Sequence, residues 1–288
     1  MNQILACIDG SSYSESVCDH AAWAAKRMDA SITVVHTLSP NNAQSAPADW
    51  SGNLGWGEHE ELLEELTALD ESRARLAQKQ SRIILDQAIA HLNEAGVTDV
   101  KSRQRQGELV DTVLLMEEEA DLVAIGKRGE GAEGATEHLG RNLERVVRAS
   151  RKPILVSSRT FKPIKRFMIA YDAGPSAKRA VTAIARMPLL KDLECHLLMV
   201  GQGSPIAEAQ LNEASDKLRE AGFSVSQAIK PGQTDDVIAS ETSASDIDLL
   251  VMGAYNHSRF RSLIIGSTTN ATLRNCRIPV LLFRSNPA

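Results

Sequence analysis

The sequence predicts an α/β protein made of two repeated doubly wound (Rossmann-like) domains, each a five-stranded, mainly parallel sheet with helices on both faces. Three observations lead there. Short apolar segments alternate with amphipathic ones along the chain, as in parallel sheets covered on both sides. The 288 residues suit two domains better than one. Most informative is an internal repeat. Glu94-Ala95-Gly96-Val97 returns as Glu220-Ala221-Gly222-Phe223, 126 residues later. Asp121-Leu122-Val123-Ala124-Ile125-Gly126 returns as Asp248-Leu249-Leu250-Val251-Met252-Gly253, 127 later. Arg148-Ala149-Ser150-Arg151-Lys152-Pro153 matches Arg274-Asn275-Cys276-Arg277-Ile278-Pro279, again 126 later. Matched glycines, aspartates and prolines in one order at nearly one spacing define a duplicated unit.

The elements follow in order. Gln3 to Ile8 is a strand, and Ser11 to Met28 an amphipathic helix opened by a serine cap. Ile32 to Leu38 is the second strand. Asp9 and Asp172, each just past a first strand, are 163 apart, so the first unit carries about 37 extra residues, the difference between the two spacings. The insert falls in residues 39–77. It begins as a Pro/Asn/Gly-rich loop with Trp50 and Trp56 and runs into an acidic segment. Leu62, Leu66 and Leu69 there have helical spacing, which predicts a long helix to about Ala95. Its acidic run reads as a solvated helix face, with a partner-docking surface as the other reading. Val100 to Arg105 is a strand, Glu108 to Glu119 a helix, and Leu122 to Ile125 a continuous apolar strand. A Gly-rich loop, a helix around Asn142 to Ala149 and the strand Pro153 to Val156 close the unit. The second unit repeats the plan from Arg166 to Phe283, which puts the domains at 1–160 and 161–288. In such sheets a ligand sits beyond the carboxyl ends of the strands.

Composition narrows the function. A net charge of -5 and 4% aromatic residues give neither the electrostatic footprint nor the stacking platform of a nucleic-acid binder. No apolar run approaches the ~18 residues of a membrane span. The amino terminus lacks the basic lead and apolar stretch of a secretory signal. Cys7, Cys18, Cys195 and Cys276 lie far apart without a CxxC, which reads as reduced, structural thiols of a cytoplasmic protein.

The chemistry concentrates after the fourth strand of the second unit. Gly253-Ala254-Tyr255-Asn256-His257 is followed by Gly266-Ser267-Thr268-Thr269 at the start of a helix. Gly-Ser-Thr at a helix amino terminus offers unpaired backbone N–H groups, hydroxyl donors and the positive end of the helix dipole, a combination that suits a phosphate. Arg259 and Arg261 stand nearby in sequence.

These residues resemble the universal stress protein family in its tandem form, whose nucleotide loop reads Gly-x2-Gly-x9-Gly-(Ser/Thr). Here the loop is Gly253-x2-Asn256-x9-Gly266-Ser267, with asparagine replacing the middle glycine; asparagine tolerates left-handed backbone better than most residues. The resemblance extends over both units, including the first-strand aspartates and the closing Pro-Ile-Leu-Val and Pro-Val-Leu-Leu. It implies that Asp172 lies at the adenosine end and that Ala170 and Val200 line the adenine pocket. Met252, Gly253 and Asn256 would hold the ribose and first phosphates, and Gly266, Ser267 and Thr268 the phosphate tail. Asp172 also has a purely local reading, as an Asx turn or cap for the following helix, and both readings stand together. The implied cofactor is ATP or another adenine nucleotide, with Mg. The implied role is regulatory binding in a stress response, not metabolic turnover, with no catalytic residue assigned, and the implied assembly is a homodimer of tandem chains.

The first unit departs from the pattern. It reads Gly126-Lys127-Arg128-Gly129-x10-Gly140-Arg141, one residue longer and with arginine in place of the hydroxyl. Glu133 and Glu137 within the loop repel phosphate, and Lys127 and Arg128 are the charges available to offset them. ATP binding in the family manner is therefore expected only in the second unit. Gly129-Glu130-Gly131-Ala132-Glu133-Gly134 fits the dinucleotide pattern GxGxxG, but it neither joins strand directly to helix nor has the later acidic partner that pattern needs. There is no Walker A sequence. His138 with Glu133 and Glu137 is the one grouping with metal-ligand chemistry, and reads as a loop histidine. The rival to nucleotide binding is an interaction module working through its paired domains and through apolar closing strands that offer an exposed edge to a neighbour.

Overall fold

A computed structural model describes residues 2–38, 56–129, 140–254 and 267–284, with backbone alone for 56–62 and 267–268. The first repeat contributes β1 (Asn2–Ile8), β2 (Ala30–Leu38), β3 (Val100–Gln106), β4 (Leu122–Gly126) and β5 (Ile154–Ser157). The second contributes β6 (Arg166–Ala170), β7 (Glu194–Val200), β8 (Val225–Lys230), β9 (Leu249–Ala254) and β10 (Val280–Arg284). All ten form one sheet in the order β3-β2-β1-β4-β5-β10-β9-β6-β7-β8, so each repeat lays its strands in the same spatial sequence. Every neighbouring pair is parallel except β5 and β10, which run antiparallel with Val156 opposite Val280 and Ile154 opposite Leu282.

Parallel neighbours need crossovers, and helices supply them. In chain order these are α1 (Ser14–Met28), α2 (Trp56–Glu94), α3 (Leu109–Met116), α4 (Arg141–Ala149), α5 (Pro175–Ile184), α6 (Pro205–Glu220), α7 (Thr234–Ala244) and α8 (Ser267–Asn275). The period-2 alternation of the strands sorts the core into two layers. Ile4, Ala6 and Ile8 face one layer with Leu85 and Leu92 of α2 and with Phe167, Ile169 and Leu218 of the second repeat. Leu5 and Cys7 face the other, with Val113 of α3, Val146 of α4, Met168 and Leu273 of α8. Residues facing each other across the β5–β10 joint share a layer, so both repeats place equivalent helices on the same side of the sheet.

That joint corrects the expectation about the closing strands. They are not exposed edges but the middle of the sheet, each satisfying the other's backbone groups. The edges are β3 and β8. β3 carries Lys101, Arg103 and Arg105 exposed, charges that discourage edge-to-edge pairing.

The repeated aspartates at the start of the fourth strands serve as tethers. Asp121 Oδ2 accepts from Gln3 N at 3.0 Å, and Asp248 Oδ2 from Lys165 N at 2.8 Å and Arg166 N at 3.0 Å. Across the repeats, the Arg27 guanidinium of α1 donates to the Leu189 and Lys191 carbonyls; within the first, Ser16 Oγ donates to Ser158 O at 2.8 Å. Phe161 packs edge-on against His20 at 5.0 Å between ring centres.

Helix boundaries differ in places from the sequence-based expectation. α1 begins at Ser14, not Ser11, because Gly10 takes a left-handed turn (φ 77°) and Ser11 and Ser12 complete it. α3 ends at Met116, after which Glu117 turns its buried carboxylate to Ser150 Oγ and Arg151 N. α8 begins at Ser267. All four cysteines are unpaired thiols, and burial pushes Cys7, Cys18 and Cys195 up to about 12. Among the described residues no helix is long and apolar enough to cross a membrane.

Candidate functional site

Because β5 and β10 are antiparallel, the carboxyl ends of β1, β2 and β4 open at one end of the sheet and those of β6, β7 and β9 at the other. The second end gathers the predicted residues. Ala170 closes β6 and stands beside Met252 of β9, and Val200 closes β7. Gly253 follows Met252, and Asp172 lies two residues past Ala170. Asp172 Oδ1 accepts from Gly174 N at 2.9 Å, so the Asx turn is made, and Ala173 between them is left-handed (φ 57°). The turn delivers Pro175 to the first position of α5, where its fixed φ suits the helix.

Gly253 has a packing role. A Cβ there would lie 2.7 Å from Ser176 Cβ and 3.0 Å from Ala177 N, so only glycine lets the first turn of α5 rest on the end of β9. Gly126 repeats the arrangement in the first repeat, 3.0 Å from Tyr13 Cβ. Tyr13 and Ser176 each stand four residues after the first-strand aspartate. Ser267 and Thr268 form the opening of α8. α8 connects the carboxyl end of β9 to the parallel β10, so its amino terminus, with unpaired N–H groups and positive dipole, opens at the same end as Asp172 and Gly253. Asn256 and Gly266 lie outside the described residues, as do Arg259 and Arg261 and the grouping of Glu133, Glu137 and His138.

At the equivalent end of the first repeat the described residues pack against one another. Asp9 Oδ1 accepts from Ser11 N at 3.0 Å, while Oδ2 lies directly against the Cα of Gly129, where a Cβ would clash. Ile84 of α2 packs on Gly10, 2.6 Å from where a Cβ would be. Gly140 N donates to Lys127 O at 3.3 Å, drawing together the two ends of the intervening loop. Lys127, expected to offset the loop's acids, instead reaches into the second repeat: its buried ammonium donates to Cys276 O. Desolvation brings its pKa down to about 8. The contact follows from the antiparallel joint, which sets the carboxyl end of β4 beside the amino end of β10.

One further grouping has no sign in the sequence. His196 of β7 has Nδ1 2.8 Å from Ser226 Oγ of β8 and Nε2 3.1 Å from Glu241 Oε1 of α7. Glu241 also takes the Lys230 ammonium, which draws its carboxyl below the usual range, and the Ser245 hydroxyl at 2.8 Å. Three separate elements supply these residues, so no local pattern marks them. Together they pin α7 to the edge of the sheet.

The sequence profile of the universal stress protein family matches residues 1–158 and 163–284. A curated relative, Universal stress protein Slr1230 of Synechocystis sp. (strain ATCC 27184 / PCC 6803 / Kazusa), is 37% identical over 288 residues, covering 99% of this chain and 100% of its own. The solved structure of a universal stress protein from Archaeoglobus fulgidus DSM 4304 is similar with a TM-score of 0.73, at 18% identity and 99% coverage of both chains. A putative universal stress protein from Pseudomonas aeruginosa UCBPP-PA14 gives 0.63 at 19% identity, covering 99% of this chain and 93% of its own. At these identities the two solved structures speak to the fold alone.

Proposed function

The chain belongs to the universal stress protein family as a tandem of two such domains, and on that premise we propose that its second domain holds an adenine nucleotide, ATP with Mg in the first instance, in a stress-response regulatory role. The observation that carries the reading is the opening of α8. The helix amino terminus that opens at Ser267 and Thr268, which Gly266 precedes in sequence, stands at the same end of the sheet as Asp172, Ala170, Val200, Met252 and Gly253. Backbone N–H groups and hydroxyls there suit the phosphates, and the apolar strand ends suit the base. Asn256 completes the loop in place of the family's glycine. The first domain, bounded at about residue 160, has its loop base drawn shut and acids within the loop, and supports the pair without ATP. The protein acts by binding, and none of its residues is assigned to catalysis. Its thiols and charge suit the cytoplasm.

The test is the small-molecule content of protein purified without added nucleotide, denatured and identified by mass spectrometry. The expected result is about one adenine nucleotide per chain, lost in Gly266→Asp and kept in Gly140→Asp, the matching change in the first domain. Two per chain would overturn the assignment to one domain. An empty protein that also fails to bind added ATP with magnesium would overturn the nucleotide altogether and leave the interaction module.

A further inference from the structure

α2 is longer than its place in the sheet requires. Its last third packs down through Ser81, Leu85, Ala88 and Leu92. Residues 63–76 are exposed on every side, and the stretch 57–80 projects about 36 Å at 1.5 Å per residue. A helix without tertiary packing is marginal in water at this length. The exposed pairs Asp70–Arg73 (3.8 Å) and Glu71–Arg75 (3.3 Å) add little to it.

The projecting part has a seam. Leu62, Leu69, Leu76 and Ile83 recur every seven residues, with Leu66 at the alternate heptad position and the polar Arg73 and Gln80 continuing it. This is the a/d spacing of a two-stranded coiled coil, and polar residues at single a positions are the usual fixers of register. Leu63, Leu66, Leu69, Leu76 and Ile83 are 45–67% exposed, and together they make up most of the exposed large apolar side chains among the described residues. At heptad periodicity the positions of Leu62, Leu69, Leu76 and Ile83 lie roughly 150° around the helix from those of Ser81, Leu85, Ala88 and Leu92, which turns this row away from the sheet.

Charge identifies what covers it. Acids occupy the amino-terminal half (Glu58, Glu60, Glu61, Glu64, Glu65, Asp70, Glu71), and Arg73, Arg75, Lys79 and Arg82 the carboxyl-terminal half, with no acid between Glu71 and Asp86. A helix so divided repels a parallel copy and attracts an antiparallel one. The preceding segment, 39–55, offers neither a heptad nor a basic residue. We propose that α2 is the dimerisation device of this protein, pairing antiparallel with α2 of a second copy about a two-fold axis near residue 71. That register sets Leu66 of one copy on Leu76 of the other, Leu69 against the stem of Arg73, and Glu65 within reach of Lys79.

The test is the mass of the full chain in solution by sedimentation equilibrium, with and without nucleotide, since the pairing is independent of the site. Wild type is expected at twice the chain mass, and Leu69→Lys/Leu76→Lys at the chain mass with its melting transition unchanged. A monomeric wild type, or a variant that stays dimeric, would overturn the proposal. Orientation is read by oxidation: Leu66→Cys/Leu76→Cys is expected to cross-link between copies and Leu66→Cys alone is not. A cross-link in the single variant means parallel helices and overturns the antiparallel arrangement.

Discussion

Ser176 and Ala177 press on Gly253, a packing demand that the structure adds to the place in a nucleotide loop that the sequence offers it. Gly253→Val is therefore expected to cost about 1–3 kcal/mol by overpacking, and to push α5 and Asp172 away from β9. Gly203→Ala is the control, since nothing lies within 4 Å of its added methyl; chemical denaturation should separate them, with the control within about 0.5 kcal/mol of wild type. Lys127 teaches the opposite lesson. Its position in a glycine loop suggested a charge offsetting the loop's glutamates, but burial commits it to the Cys276 carbonyl of the other repeat. Its folded pKa of about 8 lies below the ordinary 10.5. Between those values the unfolded chain binds more protons than the folded one, so stability rises with pH. The melting-temperature difference between wild type and Lys127→Met should shift in favour of wild type from pH 8 to about 10.5. A pH-independent difference would mean that this amine is not desolvated. Neither partner carries a local mark of the other, being 149 residues apart.

At the scale of elements, the helices and strands were readable wherever their own periodicity set them. Strand alternation, the apolar face of α1 and the run of the long helix all follow from side chains packing on one sheet. What failed to show were features set by partners. The start of α1 depends on the Gly10 turn, and the pinning of α7 depends on residues from β7 and β8. The repeat also supplies a design for the first domain without its insert. In the second, four residues separate the end of β7 at Val200 from the start of α6 at Pro205. Deleting 43–78 leaves an equally short link and the whole packing face of α2 from Ser81. The shortened chain should melt cooperatively within a few degrees of wild type and lose the two-chain mass. A collapse of the transition would show that the projecting helix supports the domain.

At the scale of the whole molecule, the duplication was legible down to single residues, because the aspartates, glycines and prolines that set turns and tethers keep their spacing. The way the copies join was not. β5 and β10 read as two short apolar strands, and nothing in either says that it pairs with the other in reverse. That reversal places the two candidate ends on opposite sides of the molecule and sets Lys127 beside β10. It also has a consequence in time. β5 is complete at Ser157, and its partner begins at Val280. At about 5–20 residues per second, a growing chain leaves that apolar edge bare for about 6–25 s. The first domain is therefore born with an open flank that only β10 covers, and the pace of translation through the second domain sets how long chaperones must guard it.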